Sequence, residues 1–460
     1  MTSPHGAVKR FCYNQVSLIF LVFVFAGCIR AELADPEPDE PEPETNLPSL
    51  ACKPFIKTGY TERTSYFPGE KIKVFFESKD EVGPCCLTIY SVTGDSVFST
   101  ASTLPPTPQI ADDAFMNGFR YPVAVEFSVP LIKSGIYMIE RNIPFIVKTG
   151  DPVDIMVVYA SNTANAYAEA GGKSLYSLAA RPPAVSFQRP VPLQALSEVC
   201  LKWFDKLTDF RIGYVADMDM DFYESISQAK VLVIAGHSEY WTRQARQNFD
   251  RFVDDGGHAL ILSGNTMWWQ VRYADDFSQL ICYKDDESDP VDNQLFKTIN
   301  WNEPSLGYSI LSSIGSHFPL GGYGKKLDYG WDGYKIANPS SPLFEGLDLK
   351  KGDIIVLPSL EYDGTPLSGF DDEGYPMLDA DALGFEKVEL LAFDRGFRVV
   401  ETTATFIVFK KTSLSGVIIN TSTTDWCSSN GMGGRSESTI KAITYNALNN
   451  LVNGYLVFSQ

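Results

Sequence analysis

The sequence predicts an α/β protein in two parts: an N-terminal antiparallel β-sandwich, then a doubly wound, mainly parallel α/β domain with antiparallel additions. Three observations lead there. Residues 50–150 alternate apolar and polar with period two, between turn signals such as PGE and TGD. From Asp154 onward, short and continuously apolar runs alternate with helical patterns, as parallel strands covered on both faces require. Length and composition agree, since 460 residues exceed one small core and 44% hydrophobic content leaves ample surface to bury.

In chain order, residues 1–28 read as a leader. Lys9 and Arg10 precede an apolar run from Val16 to Gly27, short for a membrane span and suited to a signal peptide. FAGC resembles a bacterial lipoprotein box with Phe25 where Leu is usual, so export is expected, with lipid on Cys28 as a membrane tether. Residues 29–49 form an acidic, Pro-rich linker holding Glu32, Asp35, Glu37, Asp39, Glu40, Glu42 and Glu44. That stretch accounts for part of the formal charge of −19, and the remainder is still acidic. Nucleic acid is therefore excluded as a natural partner, because binding it needs a basic face.

In the sandwich, residues 50–150, roughly seven strands are expected. Ile72, Val74 and Phe76 share one face; so do Val123, Val125, Phe127 and Val129, and again Ile143, Phe145 and Val147. Past the leader stand Cys52, Cys85, Cys86, Cys200, Cys282 and Cys427, with no CxxC pair or metal-finger spacing. Adjacent Cys85 and Cys86 cannot readily bond to each other and read as buried small hydrophobes.

The second domain, residues 151–460, begins with DIMVVYAS, a helix near SEVCLKWFDKLTDF, and the strands RIGYVAD and VLVIAG. TRQARQNFDRFVDDGG puts Ala245, Phe249, Phe252 and Val253 on one helical stripe that stops at Gly256 and Gly257. HALILSG is the fourth strand, ATFIVFKKTSLSGVIINTS an antiparallel hairpin, and Ser438 to Gly454 a closing helix.

Ligands of open α/β sheets bind beyond the carboxyl ends of the strands. Three polar clusters fall there: SNTANAYAEAGGKSLY after the first strand, GHSEYW after the third and GNTMWW after the fourth. Topology thus brings Tyr167, His237, Glu239 and Asn265 toward one place. Glu239 beyond a buried strand is expensive unless something holds its charge.

The block from Gly236 to Tyr273, with AYAEAGGKSLY, LEYDG (Leu360 to Gly364) and TTDW (Thr423 to Trp426), resembles the large-subunit family of N,N-dimethylformamidase. The likeness covers about residues 60–458. It implies a sandwich followed by a class I glutamine amidotransferase-like domain, and a mononuclear ferric iron held by two tyrosines and a glutamate. By motif Glu239 is the carboxylate and Tyr167 one phenolate. For the second, Tyr137 in SGIYMIE is preferred to Tyr176 in KSLY, although a tyrosine after Ser-Gly in a sandwich also fits a tyrosine corner. AYA stands where the family has AYN.

Phenolate and carboxylate are hard donors suited to a ferric ion, which can polarise an amide carbonyl and acidify water. His237 and Asn265 are then expected to hydrogen-bond the carbonyl oxygen or the water, and Glu361 in LEYDG to act as general base. Lys284 is a charge-balancing or structural candidate. The expected reaction is hydrolysis of a small amide-like substrate, and the sequence leaves an oligomer and a small partner subunit open.

Other chemistries fit less well. Only His237, His258 and His317 remain past the leader, without HExxH spacing, which disfavours a zinc hydrolase. Ser238 lacks a GxSxG setting and an evident partner, and the amidotransferase cysteine is absent. A non-catalytic surface or glycan-binding protein is the alternative, with GGYGKKLDYGWDGY (Gly321 to Tyr334) as its aromatic segment or else as a lid.

Overall fold

The computed structural model describes residues 58–460 apart from 78–82, 105, 107 and 179. The expected leader, acidic linker and tether at Cys28 lie outside the described residues. The whole is a mixed α/β structure, and the described residues belong to one compact unit.

Alternation builds the sandwich. A three-stranded sheet pairs Gly59–Thr61, Lys71–Phe76 and Val123–Ser128. A five-stranded sheet pairs Ser65–Tyr66, Ile143–Val147, Gly135–Ile139, Gly83–Ser91 and Ser96–Leu104. Ile72, Val74, Phe76, Ile143, Phe145 and Val147 are buried together, as their spacing requires. The stripe at Val123 departs from expectation: a register shift between Val74 and Phe75 turns Ala124 inward and leaves Val123 exposed. Cys86 is disulfide-bonded, and both Cys85 and Cys86 are only half-buried, so the reading of two buried thiols does not hold. Neighbours on a strand face opposite ways, which gives the two cysteines different surroundings.

The large sheet contains β1 (Val153–Tyr159), β2 (Ile212–Ala216), β3 (Ala229–Ala235), β4 (His258–Leu262), β5 (Lys387–Phe397), β6 (Glu401–Lys410) and β7 (Val417–Asn420). Strands β2, β1, β3, β4 and β7 lie parallel in that order. Strands β6 and β5 follow antiparallel. The expected hairpin is thus β6 and β7, but β7 also pairs in parallel with β4 and sits at the centre of the sheet.

Four helices matter here: α1 (Ser161–Tyr167), α2 (Ala195–Asp205), α3 (Arg243–Asp254) and α4 (Glu437–Asn453). Ile155, Val157, Val231 and Val233 pack with Leu201 and Phe204 of α2 and with Ile440 and Ile443 of α4. Their sheet neighbours Met156, Val158, Leu232 and Ile234 pack on the other face with Phe249, Phe252 and Val253 of α3. This two-sided burial is why the strands read as unbroken apolar runs, each buried aliphatic side chain contributing about 1.5–3 kcal/mol. Helix α3 starts where Thr242 Oγ1 accepts the Ala245 N–H at 2.9 Å. Ile136 and Ile146 of the sandwich join the α2/α4 core, so packing is continuous past residue 150.

The N-terminal ends of β1, β2 and β3 are tied by Asp154, whose carboxylate meets Arg211 at 3.2 Å and Lys230 at 3.1 Å. Burial alone raises its pKa, but hydrogen bonds from Arg211 and Lys230 outweigh that and lower it to about 2. A depressed carboxylate contributes stability above its unfolded pKa and loses it as pH falls through the folded value. Asp154→Asn is therefore expected to lower the urea midpoint at neutral pH, with the deficit shrinking as acid approaches pH about 2; a deficit independent of pH contradicts this.

Candidate functional site

Strand β3 ends on Gly236, whose φ of +82° suits glycine and whose added Cβ would lie 2.6 Å from Ser197 Cβ. The Gln194 side chain then clamps His237, accepting its N–H at 3.0 Å and donating to its carbonyl at 3.0 Å. Two residues on, the Glu239 N–H donates to Thr163 Oγ1 of α1 at 2.9 Å. Tyr240–Thr242 runs parallel to Trp269–Tyr273, with Tyr240 opposite Trp269, so GHSEYW and GNTMWW lie side by side. Asn265 and Met267 both have positive φ, +49° and +57°, an unfavourable backbone for these residues that the surrounding bonds must hold.

These supports converge on Glu239, which is 2% exposed. Tyr167 donates to its Oε2 at 2.9 Å, and the Tyr176 hydroxyl lies 2.7 Å from each of its oxygens. The two phenol rings stack with centroids 4.1 Å apart. Both tyrosines remain partly exposed, at 42% and 39%, although the carboxylate they meet is buried. His237 Nδ1 donates to the Gly264 carbonyl at 3.0 Å, leaving Nε2 3.4 Å from Glu239 Oε2 and 3.9 Å from Glu361 Oε2. Asn265 Nδ2 donates to Glu361 Oε2 at 3.2 Å, while its buried Oδ1 has no partner among the described residues. Lys284 Nζ lies 3.7 Å from the Tyr176 ring centre, with Trp269 and Tyr240 as the other aromatic faces.

Burial opposes ionisation of Glu239, yet the His237 hydrogen bond and charge, aided by Lys284, hold its pKa below the usual value. For His237 burial pulls downward, but the Glu239 hydrogen bond and charge, then Glu361, prevail and raise it to about 9. Burial first, then the Glu239 charge, pushes both phenols far up. Burial likewise raises Glu361.

Five of the six residues singled out in the sequence meet here: Tyr167, His237, Glu239, Asn265 and Glu361. Tyr137 does not. It is buried in the sandwich core and donates to its own loop, to the Lys133 carbonyl at 2.9 Å. Its place beside Glu239 is taken by Tyr176. Tyr167 is the last residue of α1. Glu361 opens the strand Glu361–Gly364. Ser238 is buried, with Oγ accepting from Trp241 Nε1 at 3.0 Å. In the Gly321 to Tyr334 segment Tyr329 stacks on Phe397 and Tyr334 is fully buried, so these rings are largely spent on packing.

Several supporting residues carry no signal in the sequence. Buried Arg189 donates to Asn165 Oδ1, Ala170 O and Lys173 O at 3.0 Å each, and to the Asn165 carbonyl, fixing the chain between the two tyrosines. Asp363 Oδ2 accepts the Thr266 N–H at 3.2 Å. In TTDW, Thr424 Oγ1 accepts the Glu361 N–H at 3.2 Å and Asp425 accepts the Leu360 N–H at 2.9 Å, which positions Glu361.

Among the described residues no group of three His, Cys, Asp or Glu side chains is placed to hold a metal. The donor set at issue is different: one carboxylate and two phenols. Each phenol oxygen lies 2.7–2.9 Å from a carboxylate oxygen. That is close to the separation of neighbouring oxygens bound at right angles to one ion at roughly 2.0–2.1 Å. Ionised, they carry three negative charges, which matches a ferric ion. The residues present fit the group. A separate cavity of about 60 Å³, lined by Tyr60, Phe145, Tyr159 and Arg189, lies where the sandwich meets the sheet and not at Glu239.

A family model described as N,N-dimethylformamidase beta subunit-like, C-terminal, matches residues 90–435. The chain belongs to this family. Membership places it with the dimethylformamidase-like hydrolases, and the matched range takes in Tyr167, Tyr176, His237, Glu239, Asn265 and Glu361. No curated protein matches this dimethylformamidase-like chain. Among solved structures it is similar to a thua-like protein from Bacteroides uniformis, at 10% identity and TM-score 0.33, covering 65% of this chain and 90% of that one.

Removing Arg189 leaves buried carbonyls unpaired, at a cost of about 3 kcal/mol. Arg189→Met is expected to lower the denaturant midpoint and to speed amide hydrogen exchange across residues 165–176. Exchange there equal to wild type contradicts the clamp.

Proposed function

We propose that this dimethylformamidase-like chain is an exported, mononuclear-iron hydrolase of a small amide-like substrate. It is built on a sandwich and a doubly wound, amidotransferase-like domain. The observation that carries this reading is the convergence of Tyr167, Tyr176 and Glu239 oxygens at the end of a buried strand in a member of this family. Tyr167, Tyr176 and Glu239 hold the ion. When bound, ferric iron supplies Lewis acidity toward an amide carbonyl and water.

The chain's own residues do the rest. Glu361, its Oε2 oriented by Asn265, takes a proton from the attacking water and returns it to the leaving nitrogen. Burial raises its pKa, which suits a base that must also release the proton. His237, with Nδ1 committed to Gly264, points Nε2 at both carboxylates and stabilises the oxygen that gains charge. The Asn265 Oδ1, otherwise unpartnered among the described residues, is available to a substrate N–H. Lys284 offsets negative charge beside Tyr176. The disulfide at Cys86 supports export, since such bonds persist in oxidising compartments.

Purified protein from iron-replete cells is expected to contain close to one iron per chain and to show a visible phenolate-to-iron absorption band. Glu239→Ala and Tyr176→Phe are expected to lose both, Tyr137→Phe to keep both, and Glu361→Gln to keep iron and colour while losing amide hydrolysis. Iron retained in full by Tyr176→Phe, or lost in Tyr137→Phe with the fold intact by circular dichroism, contradicts the ligand set.

A further inference from the structure

Beside the Glu239 site stands an aromatic wall that ends in a cation. Trp268, three residues beyond Asn265, meets Phe318 edge-on at 5.5 Å, and Phe318 meets Tyr323 at 5.2 Å. Strand register places Tyr323 opposite Glu361 on one side and opposite Phe397 on the other. At a spacing of about 4.8 Å per strand, Phe397 is roughly 10 Å from Glu361. Arg398 follows Phe397 at the tip between β5 and β6, and its guanidinium carbon lies 5.4 Å from the ring centres of both Trp268 and Phe318.

Arg398 is exposed, and no carboxylate pairs with it among the described residues. His317, next to Phe318, adds no second charge at neutral pH: burial foremost, then Arg398, lowers it to about 4. Strand register sets Tyr323 between Glu361 and the strand that leads into Arg398, so the proposed base and this cation flank one residue. The chain as a whole carries a formal charge of −19 and repels anions, so a local guanidinium held on aromatic faces is what an anionic ligand needs there. The neighbouring tip residues Val399 and Val400 are exposed and apolar.

We propose that Trp268, Tyr323 and Arg398, backed by the buried Phe318, form a substrate subsite for an amide that carries a carboxylate, of the N-acyl amino acid class. Arg398 binds the carboxylate, the ring faces take the apolar side chain, and the amide carbonyl falls at Glu361 and His237. This rests on the amide-hydrolase reading of the site. The reaction is a balanced hydrolysis: the water oxygen bonds to the acyl carbon, the carbon–nitrogen bond breaks, the nitrogen takes the proton, and a carboxylic acid and a free amino acid leave.

The test uses the iron-loaded full chain with N-formylphenylalanine and its neutral amide, N-formylphenylalaninamide. Wild type is expected to favour the carboxylate by roughly tenfold in kcat/KM, as one charge-assisted hydrogen-bond pair provides. Arg398→Gln should bring the ratio toward unity, mainly through KM, and Arg398→Lys should restore part of it. A wild-type ratio of unity, or one unmoved by Arg398→Gln, overturns the subsite. Calorimetric titration with N-acetylphenylalanine and with its amide separates the two claims. Arg398-dependent binding of the carboxylate without turnover of either formyl compound keeps the subsite and removes the hydrolase reading; binding of neither probe overturns the subsite.

Discussion

A carboxylate taken out of water at the end of a buried strand loses several kcal/mol of solvation unless partners replace it. Glu239 is such a group, and much of the α/β domain around it serves to supply those partners. Two phenol hydroxyls fill its oxygens, His237 lends a positive charge and Lys284 adds another at longer range. Remove the phenolic protons and the same three oxygens become a trianionic grip of the kind a ferric ion neutralises. The polar arrangement and the proposed metal site are thus two protonation states of one constellation.

Holding that constellation requires supports from three loops. Strands β1, β3 and β4 end together, so the loops that follow them share one rim. Arg189 fixes the loop after β1 through its carbonyls, Gln194 fixes the His237 backbone, and the pairing of Tyr240 with Trp269 locks the loops after β3 and β4 to each other. Glu361 arrives from an antiparallel strand well separated in sequence, and Thr424 and Asp425 set its height. Rigid strands with short, heavily bonded loops are the arrangement that keeps charged groups at fixed distances without water between them.

Much of this was legible in the amino-acid sequence because its cause is periodic. Unbroken apolar runs at 155–159 and 231–235 announce strands buried on both faces, and a polar tip on such a run must be satisfied, which is why His237 and Glu239 stand out. Preferring Tyr137 to Tyr176 fails because each follows a large aliphatic residue, Ile136 or Leu175, and nothing in spacing reveals which phenol faces the rim. That choice depends on the turn after Leu175 and on Arg189, a long-range contact with no local pattern. The misread face at Val123 has the same origin: a one-residue register shift is invisible to alternation alone. Arg189, Gln194 and Asp363 look like ordinary loop residues until the backbone groups they serve are known.

Family membership and geometry meet in one claim, that Tyr167, Tyr176 and Glu239 bind a single iron. Anomalous diffraction at the iron absorption edge from crystals of the native protein tests it most directly. The account predicts one anomalous peak bonded to those two phenol oxygens and that carboxylate. A peak elsewhere in the chain, or none at this position from crystals of iron-replete protein, contradicts it.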